Sequence, residues 1–254
     1  RVAVRGQRAE IGLGLGAEGR RRLAGQVKGE LRAALFRSRP DEVRAYLARF
    51  AADGPAPDFA AYLRRALAEA ARRARAGGEA KRTLEAMLFA VGTACGTRRL
   101  EEVIGPVLPG AFPDPPPCTA LRLAGRHDLR RHFAVSAALH AASEARAAFA
   151  IGEMKELLDI GGGGSGFSFD DLMADRAGIR FAEGLYAGGP SDWIALADRL
   201  TGDAALLPDP QDLPSGLSRT AFRSLYGSLD SPAYKRMVAA IDARIARETA
   251  FGGR

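Results

Sequence analysis

The first part of the chain carries apolar residues at helical spacing in four successive stretches. Polar helix-start residues and glycine stops separate these stretches, for example Asp41 in the second and Gly77-Gly78 after the third. Amphipathic segments joined by short loops are typical of a helical bundle. The four predicted helices lie at about 21–37, 38–52, 59–76 and 79–96.

A proline-rich stretch, "GPVLPGAFPDPPPC" at 105–118, interrupts this pattern and holds six of the 14 prolines. We therefore predict a basic helical domain at 1–105, a linker at 106–118 and a second helical domain at 119–254. The expected fold class is all-α, with the N-terminal basic part packed on or linked to a C-terminal helical bundle rich in Ala and Gly.

The second predicted domain has small residues where helices would meet. Residues 127–159 have helical spacing but place Ala, Ser and Gly on the apolar faces, which indicates close helix contact. A glycine-rich loop follows, and then a helix whose Ser168 and Asp171 have the spacing of a capping box. Small residues four apart give this helix a flat face, namely Ala174, Gly178 and Ala182.

Composition favours packed helices over a sandwich or a barrel. Apolar residues make up 47% and charged residues 26%, as in soluble globular proteins, while aromatic residues reach only 7% and alanine is abundant. No run of the sequence approaches the roughly 18 apolar residues of a membrane span, so no transmembrane span is expected.

The chain begins with Arg1 and not with Met. We therefore expect that a leader has been removed.

The net charge of +7 is unevenly distributed. Residues 1–105 carry 21 Lys and Arg against 12 Asp and Glu, whereas residues 106–254 carry 16 against 18. An anionic partner, such as an acidic lipid headgroup, an anionic polysaccharide or nucleic acid, or a protein partner would therefore bind the N-terminal part. Acidic residues interleave with the basic ones and few aromatic rings accompany them, which argues against nucleic acid. A solvated basic surface without a partner is the simpler alternative.

Cys95 and Cys118 flank the proline-rich stretch and leave two alternatives open. In an exported protein, a disulfide between them would contribute roughly 3 kcal/mol by closing the loop. In a cytosolic protein, both would be buried free thiols. We favour the disulfide, because the stretch that it closes is otherwise poorly restrained.

Polar residues of the second domain fall in three blocks that predict a shared cluster. Members of the first and the third block are four apart, hence on one helix face. Each pair alone has an ordinary explanation as a helix-dipole partner, a solvated charge or a cap. Beside small residues, however, unpaired burial would be costly, so we predict that the blocks meet and pair with one another, with Arg176 or with a cation. The blocks are Asp128 with His132, then Lys155, Glu156 and Asp159, then Asp171 with Asp175.

These blocks also carry a resemblance to a known family. The strings "DLRRHF" at 128–133, "KELLD" at 155–159 and "GGSGFSFDDLMADRAG" at 163–178 resemble the pattern of the YfiM-like family of uncharacterised bacterial envelope lipoproteins. More distantly, they are similar to VanZ-like membrane proteins. The resemblance covers about residues 126–185, and it implies a periplasmic or secreted location and a shared polar cluster, but no established reaction. Leu129 departs from the lysine of the family.

Three functions are compatible with these residues. The first is a non-catalytic envelope scaffold or interaction module. The second is a hydrolase or transferase on an envelope component, with His132 as general base oriented by Asp128. The third is a binder of a divalent metal such as Mn²⁺, Fe²⁺ or Zn²⁺ through His132, Glu156, Asp171 and Asp175. No serine has the context of a nucleophile motif, so we rank the non-catalytic function first. The candidate binding residues are Lys155, Glu156, Asp159, Ser168, Asp171 and Asp175.

Overall fold

A computed structural model describes residues 40–96, 118–142 and 166–252. The fold is all-α, as predicted, and these ranges contain two isolated β-bridges but no sheet. A π-helical turn, Gly92–Gly96, continues the third helix. The described ranges contain eight α-helices, namely α1 (Pro40–Ala52), α2 (Phe59–Arg75), α3 (Ala80–Val91), α4 (His127–Ala142), α5 (Phe169–Tyr186), α6 (Pro190–Arg199), α7 (Arg219–Tyr226) and α8 (Pro232–Glu248).

The three N-terminal helices of the described chain form where the sequence predicts them. Asp58 caps α2, because its Oδ1 accepts a hydrogen bond of 2.6 Å from the amide of Ala61. The helix ends just before Gly77, whose φ of 100° favours glycine. The predicted helix at 21–37 lies outside the described residues. The apolar face of α1 is buried throughout, with Val43, Tyr46, Leu47 and Phe50 at most 3% exposed.

Side chains on both sides of the proline-rich stretch share one hydrophobic core. Phe59 of α2 lies 5.6 Å, centroid to centroid, from Phe133 of α4, which in turn lies 5.5 Å from Phe181 of α5. Phe251 packs against both Phe133 and Phe181. In the described residues, the N-terminal helices are therefore packed on the C-terminal ones, while linker residues 106–117 lie outside the described ranges.

A disulfide joins Cys95 to Cys118 across a Cα–Cα distance of 4.8 Å, and both residues are fully buried. The bond ties the π-helical end of α3 to the segment that leads into α4. It closes a loop with a sequence separation of 23 residues. By the loop-entropy model, this closure stabilises the folded chain by roughly 3 kcal/mol.

The helices α4 and α5 approach each other closely through small residues. A Cβ atom on Gly178 would lie 2.2 Å from the carbonyl oxygen of Phe133, so only glycine fits there. Ala174 and Ala182, one turn to either side, are fully buried. The predicted flat face of α5 is therefore the face that packs against α4.

The predicted capping box at the start of α5 is wrong. Ser168 is the N-cap residue but makes no capping bond, and its Oγ accepts a hydrogen bond of 2.9 Å from the amide of Gly216. The amide of Asp171, which such a cap would bind, instead donates to Oδ1 of Asp170 at 2.8 Å. Ser168 therefore anchors a neighbouring loop to the start of the helix.

Candidate functional site: a polar cluster between α4 and α5

His132 lies on α4 between two aspartates of α5 and is only 8% exposed. Its Nδ1 is 3.0 Å from Oδ1 of Asp175, which is a hydrogen-bond distance. Its Nε2 is 3.6 Å from Oδ1 of Asp171, too long for a direct hydrogen bond. Nδ1 of the imidazole is thus hydrogen-bonded, whereas Nε2 faces the carboxylate of Asp171 without a direct hydrogen bond.

Ser136, one turn further along α4, shares the acceptor of His132. Its Oγ donates a hydrogen bond of 2.9 Å to Oδ1 of Asp175, and the residue is fully buried. In a catalytic triad the serine hydroxyl donates to the histidine, and the aspartate orients the histidine alone. Here the carboxylate takes both donors, so the three residues do not form a triad of that kind.

Arg126 completes the cluster at the N-terminal end of α4. Its Nε donates a hydrogen bond of 3.0 Å to Oδ1 of Asp128, and its Nη1 donates to Oδ2 of Asp170. Its Nη2 lies 3.7 Å from Oδ1 of Asp171. We call the whole set the polar cluster, and it consists of Arg126, Asp128, His132, Ser136, Asp170, Asp171 and Asp175.

The charges of the polar cluster shift several pKa values. Burial acts to lower the pKa of His132, but the charge and hydrogen bond of Asp175 and the charge of Asp171 outweigh it, so this pKa is raised. Burial raises the pKa of Asp171 against the lowering effect of His132, and the nearby carboxylates add to the rise. Burial also acts on Asp128, but Arg126 lowers its pKa overall. The cluster therefore favours the protonated, positively charged form of His132.

The structure brings together two of the three predicted blocks, but with different partners. His132 meets Asp171 and Asp175, as predicted, whereas its expected partner Asp128 binds Arg126. The reason is that Asp128 lies in the first turn of α4, where Arg126 precedes it by two residues. The second block lies outside the described residues, so Lys155, Glu156 and Asp159 stay predictions.

Two further residues of interest lie outside the polar cluster. Arg176, considered as a partner for the aspartates, instead binds Asp242 of α8 through two nitrogens. Ser168 bonds the loop at Gly216, as described above, and has no part in the cluster. The polar surface of α5 is therefore divided between α4 on one side and α8 on the other.

Sequence reasoning missed Arg126, Asp170 and the role of Ser136. Arg126 lies two residues before Asp128, a spacing that could have pointed to a local ion pair at the helix start. Asp170 is adjacent to Asp171, so the sequence indicates three aspartates in this block and not only two. Ser136 lies four residues after His132 on the same face, which is the signal that could have found it.

The polar cluster has limited room for a metal as it stands. Within the described ranges, no group of three or more His, Cys, Asp or Glu side chains has the geometry to hold an ion. Arg126 occupies the space among the carboxylates of Asp128, Asp170 and Asp171. The predicted metal set also included Glu156, which lies outside the described residues, so that set stays a prediction.

No family model, no curated protein and no solved structure matches the chain. The resemblance to the YfiM-like family therefore stays a prediction that depends on the three motifs alone. Among the helices that the structure describes, none has the length and the apolar character of a membrane-spanning segment.

Proposed function

We propose that the chain is a non-catalytic helical scaffold or interaction module of the bacterial envelope. The observation that supports this most is the set of hydrogen bonds that members of the polar cluster make with one another. His132 and Ser136 of α4 share Asp175 of α5, and Arg126, which immediately precedes α4, binds both Asp128 of α4 and Asp170 of α5. A buried network with internal partners stabilises one particular packing of two helices.

A periplasmic or secreted location is supported by the disulfide. Disulfides form and persist in oxidising compartments and are rare in the cytosol. The Cys95–Cys118 bond is fully buried and closes a long loop, as expected of a structural bond. Mass spectrometry of the unreduced native chain would test this, since two alkylatable thiols under denaturing conditions would contradict an oxidising location.

An anionic envelope component or a protein partner is proposed for the basic N-terminal part. On α1 and α2, arginine side chains remain exposed even where they pair with acids: Arg72 is 66% exposed, Arg49 54% and Arg44 45%. Exposed ion pairs are weak and can exchange partners. Co-sedimentation with vesicles of anionic and of neutral lipid, at low and high salt, would test this proposal.

The scaffold proposal is tested by metal content and stability measured on the same variants. We expect substoichiometric metal in the purified protein, and a lower melting temperature in His132→Gln and in Asp175→Asn. Asp242→Asn, which removes an ion pair of α5 outside the polar cluster, is the matched control. Stoichiometric metal that both cluster variants lose and the control keeps would overturn the scaffold proposal.

One observation favours a second candidate, a divalent-metal site or a hydrolytic site on an envelope component. Oδ1 of Asp171 is buried without a hydrogen-bond partner among the described residues, and it faces Nε2 of His132. A histidine whose Nδ1 is bound by a carboxylate is oriented to use Nε2 as a ligand or base. In this candidate, Asp175 orients His132, and His132 with Asp171 holds the cation or the substrate.

A further inference from the structure

A cleft of about 370 Å³ lies between α1, the turn that follows α2 and the first turn of α3. Its volume falls within the roughly 300–1,000 Å³ of small-molecule sites in proteins. We call it the α1–α3 cleft, and its lining includes Glu42, Tyr46, Arg73, Gly78, Glu79 and Arg82.

Contacts within the protein hold the lining of the α1–α3 cleft in place. Cζ of Arg73 lies 4.1 Å from the centroid of the Tyr46 ring, and Nε of Arg73 donates a hydrogen bond of 2.6 Å to Glu69. The Tyr46 hydroxyl donates to the carbonyl oxygen of Thr83 at 3.3 Å, which joins α1 to α3. A Cβ atom on Gly78 would lie 2.9 Å from the carbonyl oxygen of Arg73, so glycine keeps this turn tight. A site that is already ordered loses little conformational entropy when a ligand binds.

The charged groups of the lining are only partly neutralised by their neighbours. Glu42 is half-buried and makes no ion pair among the described residues. Nε of Arg82 lies 3.6 Å from Oε2 of Glu79, which is too long for a direct hydrogen bond. Exposed pairs of this kind are weak and can exchange partners. Arg73 uses Nε and Nη2 for Glu69 and a backbone carbonyl, so Nη1 makes no hydrogen bond in the described structure.

The two carboxylates and the two guanidinium groups of the cleft balance in charge, and this balance limits the chemistry of a ligand. A simple anion would be repelled by Glu42 and Glu79, and a simple cation by the arginines. Tyr46 offers no free ring face to a neutral ring-shaped ligand, because Arg73 covers the ring and the residue is 1% exposed. A ligand that carries both charges matches both kinds of group.

We propose that the α1–α3 cleft binds a small zwitterion with one ammonium and one carboxylate group, as in a free amino acid. Glu42 is the counter-ion of the ammonium group. Nη1 of Arg73 and the guanidinium of Arg82 bind the carboxylate, for which Arg82 gives up its weak pair with Glu79. The cleft lies on α1 to α3, so this site is independent of the polar cluster and of the proposed scaffold function.

The site is tested by isothermal calorimetry on the full, oxidised chain. The ligands are glycine, β-alanine and γ-aminobutyrate, whose charged groups stand progressively further apart. Sodium acetate and methylammonium chloride, at the same ionic strength, each present one half of such a ligand. We expect saturable binding of one amino acid per chain, with the tightest of the three at least about tenfold tighter than either half, because each half leaves part of the cleft unpaired.

Substitutions on the two sides of the cleft test the assignment of the charges. Glu42→Gln and Arg82→Gln should each weaken binding of the amino acid by about tenfold or more, because each removes a charged partner of the ligand. Arg44→Gln is the control for net charge, since it removes a 45% exposed arginine of α1 that does not line the cleft, and it should leave binding unchanged.

Absence of saturable binding of all three amino acids at millimolar concentration would overturn the proposal. Acetate or methylammonium that binds as tightly as the amino acids would overturn it as well, as would an equal loss of binding in the Arg44 variant and the two cleft variants. Glucose that binds in place of the amino acids would show that the cleft takes a neutral polar ligand. The comparison with the half-ligands uses the wild-type chain alone, so it decides the proposal even where a substitution disturbs the fold.

Discussion

Ion pairs in α1 and α2 link residues that are close in sequence, whereas His132 in the polar cluster pairs with residues that are far away along the chain. Arg44 with Asp41 and Arg72 with Glu69 are three residues apart on one helix. His132 and Asp175, in contrast, are 43 residues apart and join two helices. Local pairs support single helices by a few tenths of a kcal/mol. Buried pairs between helices fix how those helices meet, and breaking them is far more costly.

The sharpest test of this comparison is Asp175→Ala beside Asp41→Ala. Removing Asp175 leaves His132 and Ser136 without their shared acceptor, so we expect a loss of about 3–5 kcal/mol in the free energy of unfolding. Removing Asp41, which is 90% exposed, should cost less than about 1 kcal/mol. Urea denaturation followed by circular dichroism measures both. Similar losses in the two variants would show that the cluster is no more than a surface ion pair.

The disulfide is a covalent counterpart of the long-range contacts. We expect the double variant Cys95→Ala with Cys118→Ala to lose roughly 3 kcal/mol, because the unfolded chain regains the freedom of the loop. Reduction of the wild-type protein by dithiothreitol in mild denaturant should lower the melting temperature to that of the double variant. A variant as stable as the oxidised protein would contradict a role of the bond in stability.

The close approach of α4 and α5 predicts that alanine substitution at two glycines of α5 has very different effects on stability. Gly178→Ala should cost about 2 kcal/mol, because the new methyl group meets the backbone of Phe133. At Gly184, also on α5, a Cβ would have its nearest neighbour at 3.7 Å, so Gly184→Ala should be neutral or stabilise by up to about 1 kcal/mol through helix propensity. Thermal denaturation of both variants measures the difference, and equal effects would disprove the tight contact.

The smallest expected effect is a difference in how two histidines of α4, His132 and His140, make stability depend on pH. The pKa of His132 is raised, so its contribution to stability is complete below its usual pKa near 6.5 and is lost as pH rises through the folded value. Burial lowers the pKa of His140, and its contribution is therefore lost as pH falls below about 6.5. We expect His132→Gln to remove the alkaline loss and His140→Gln the acidic one. Melting temperatures between pH 5 and 8.5 check this, and a profile unchanged by both substitutions would contradict it.

The sequence predicts what depends on neighbours along the chain. The buried face of α1, the end of α2 before Gly77 and the small-residue face of α5 all follow from spacing and glycine chemistry, and the structure confirms them. The burial of His132 also agrees with its place in the predicted cluster.

The partners of the charges were less predictable, because they depend on tertiary packing. Asp128 and His132 share a helix face, yet each binds elsewhere: Asp128 binds Arg126, and His132 binds Asp175. Periodicity gives the direction of a side chain on its own helix but not the residue that a second helix brings to it. The same limit applies to Arg176, whose partner Asp242 lies 66 residues further along the chain.

The shared acceptor of the polar cluster has a consequence for helix register. His132 and Ser136 are separated by about 6 Å along the axis of α4, yet both reach one oxygen of Asp175. A slide of α5 by one residue, about 1.5 Å along its axis, would shorten one of these bonds and lengthen the other. The two bonds together therefore define the axial position of α5, while Gly178 determines only how near the helices lie. A chain that kept the glycine but lost Asp175 would keep its helices close and leave them free to slip.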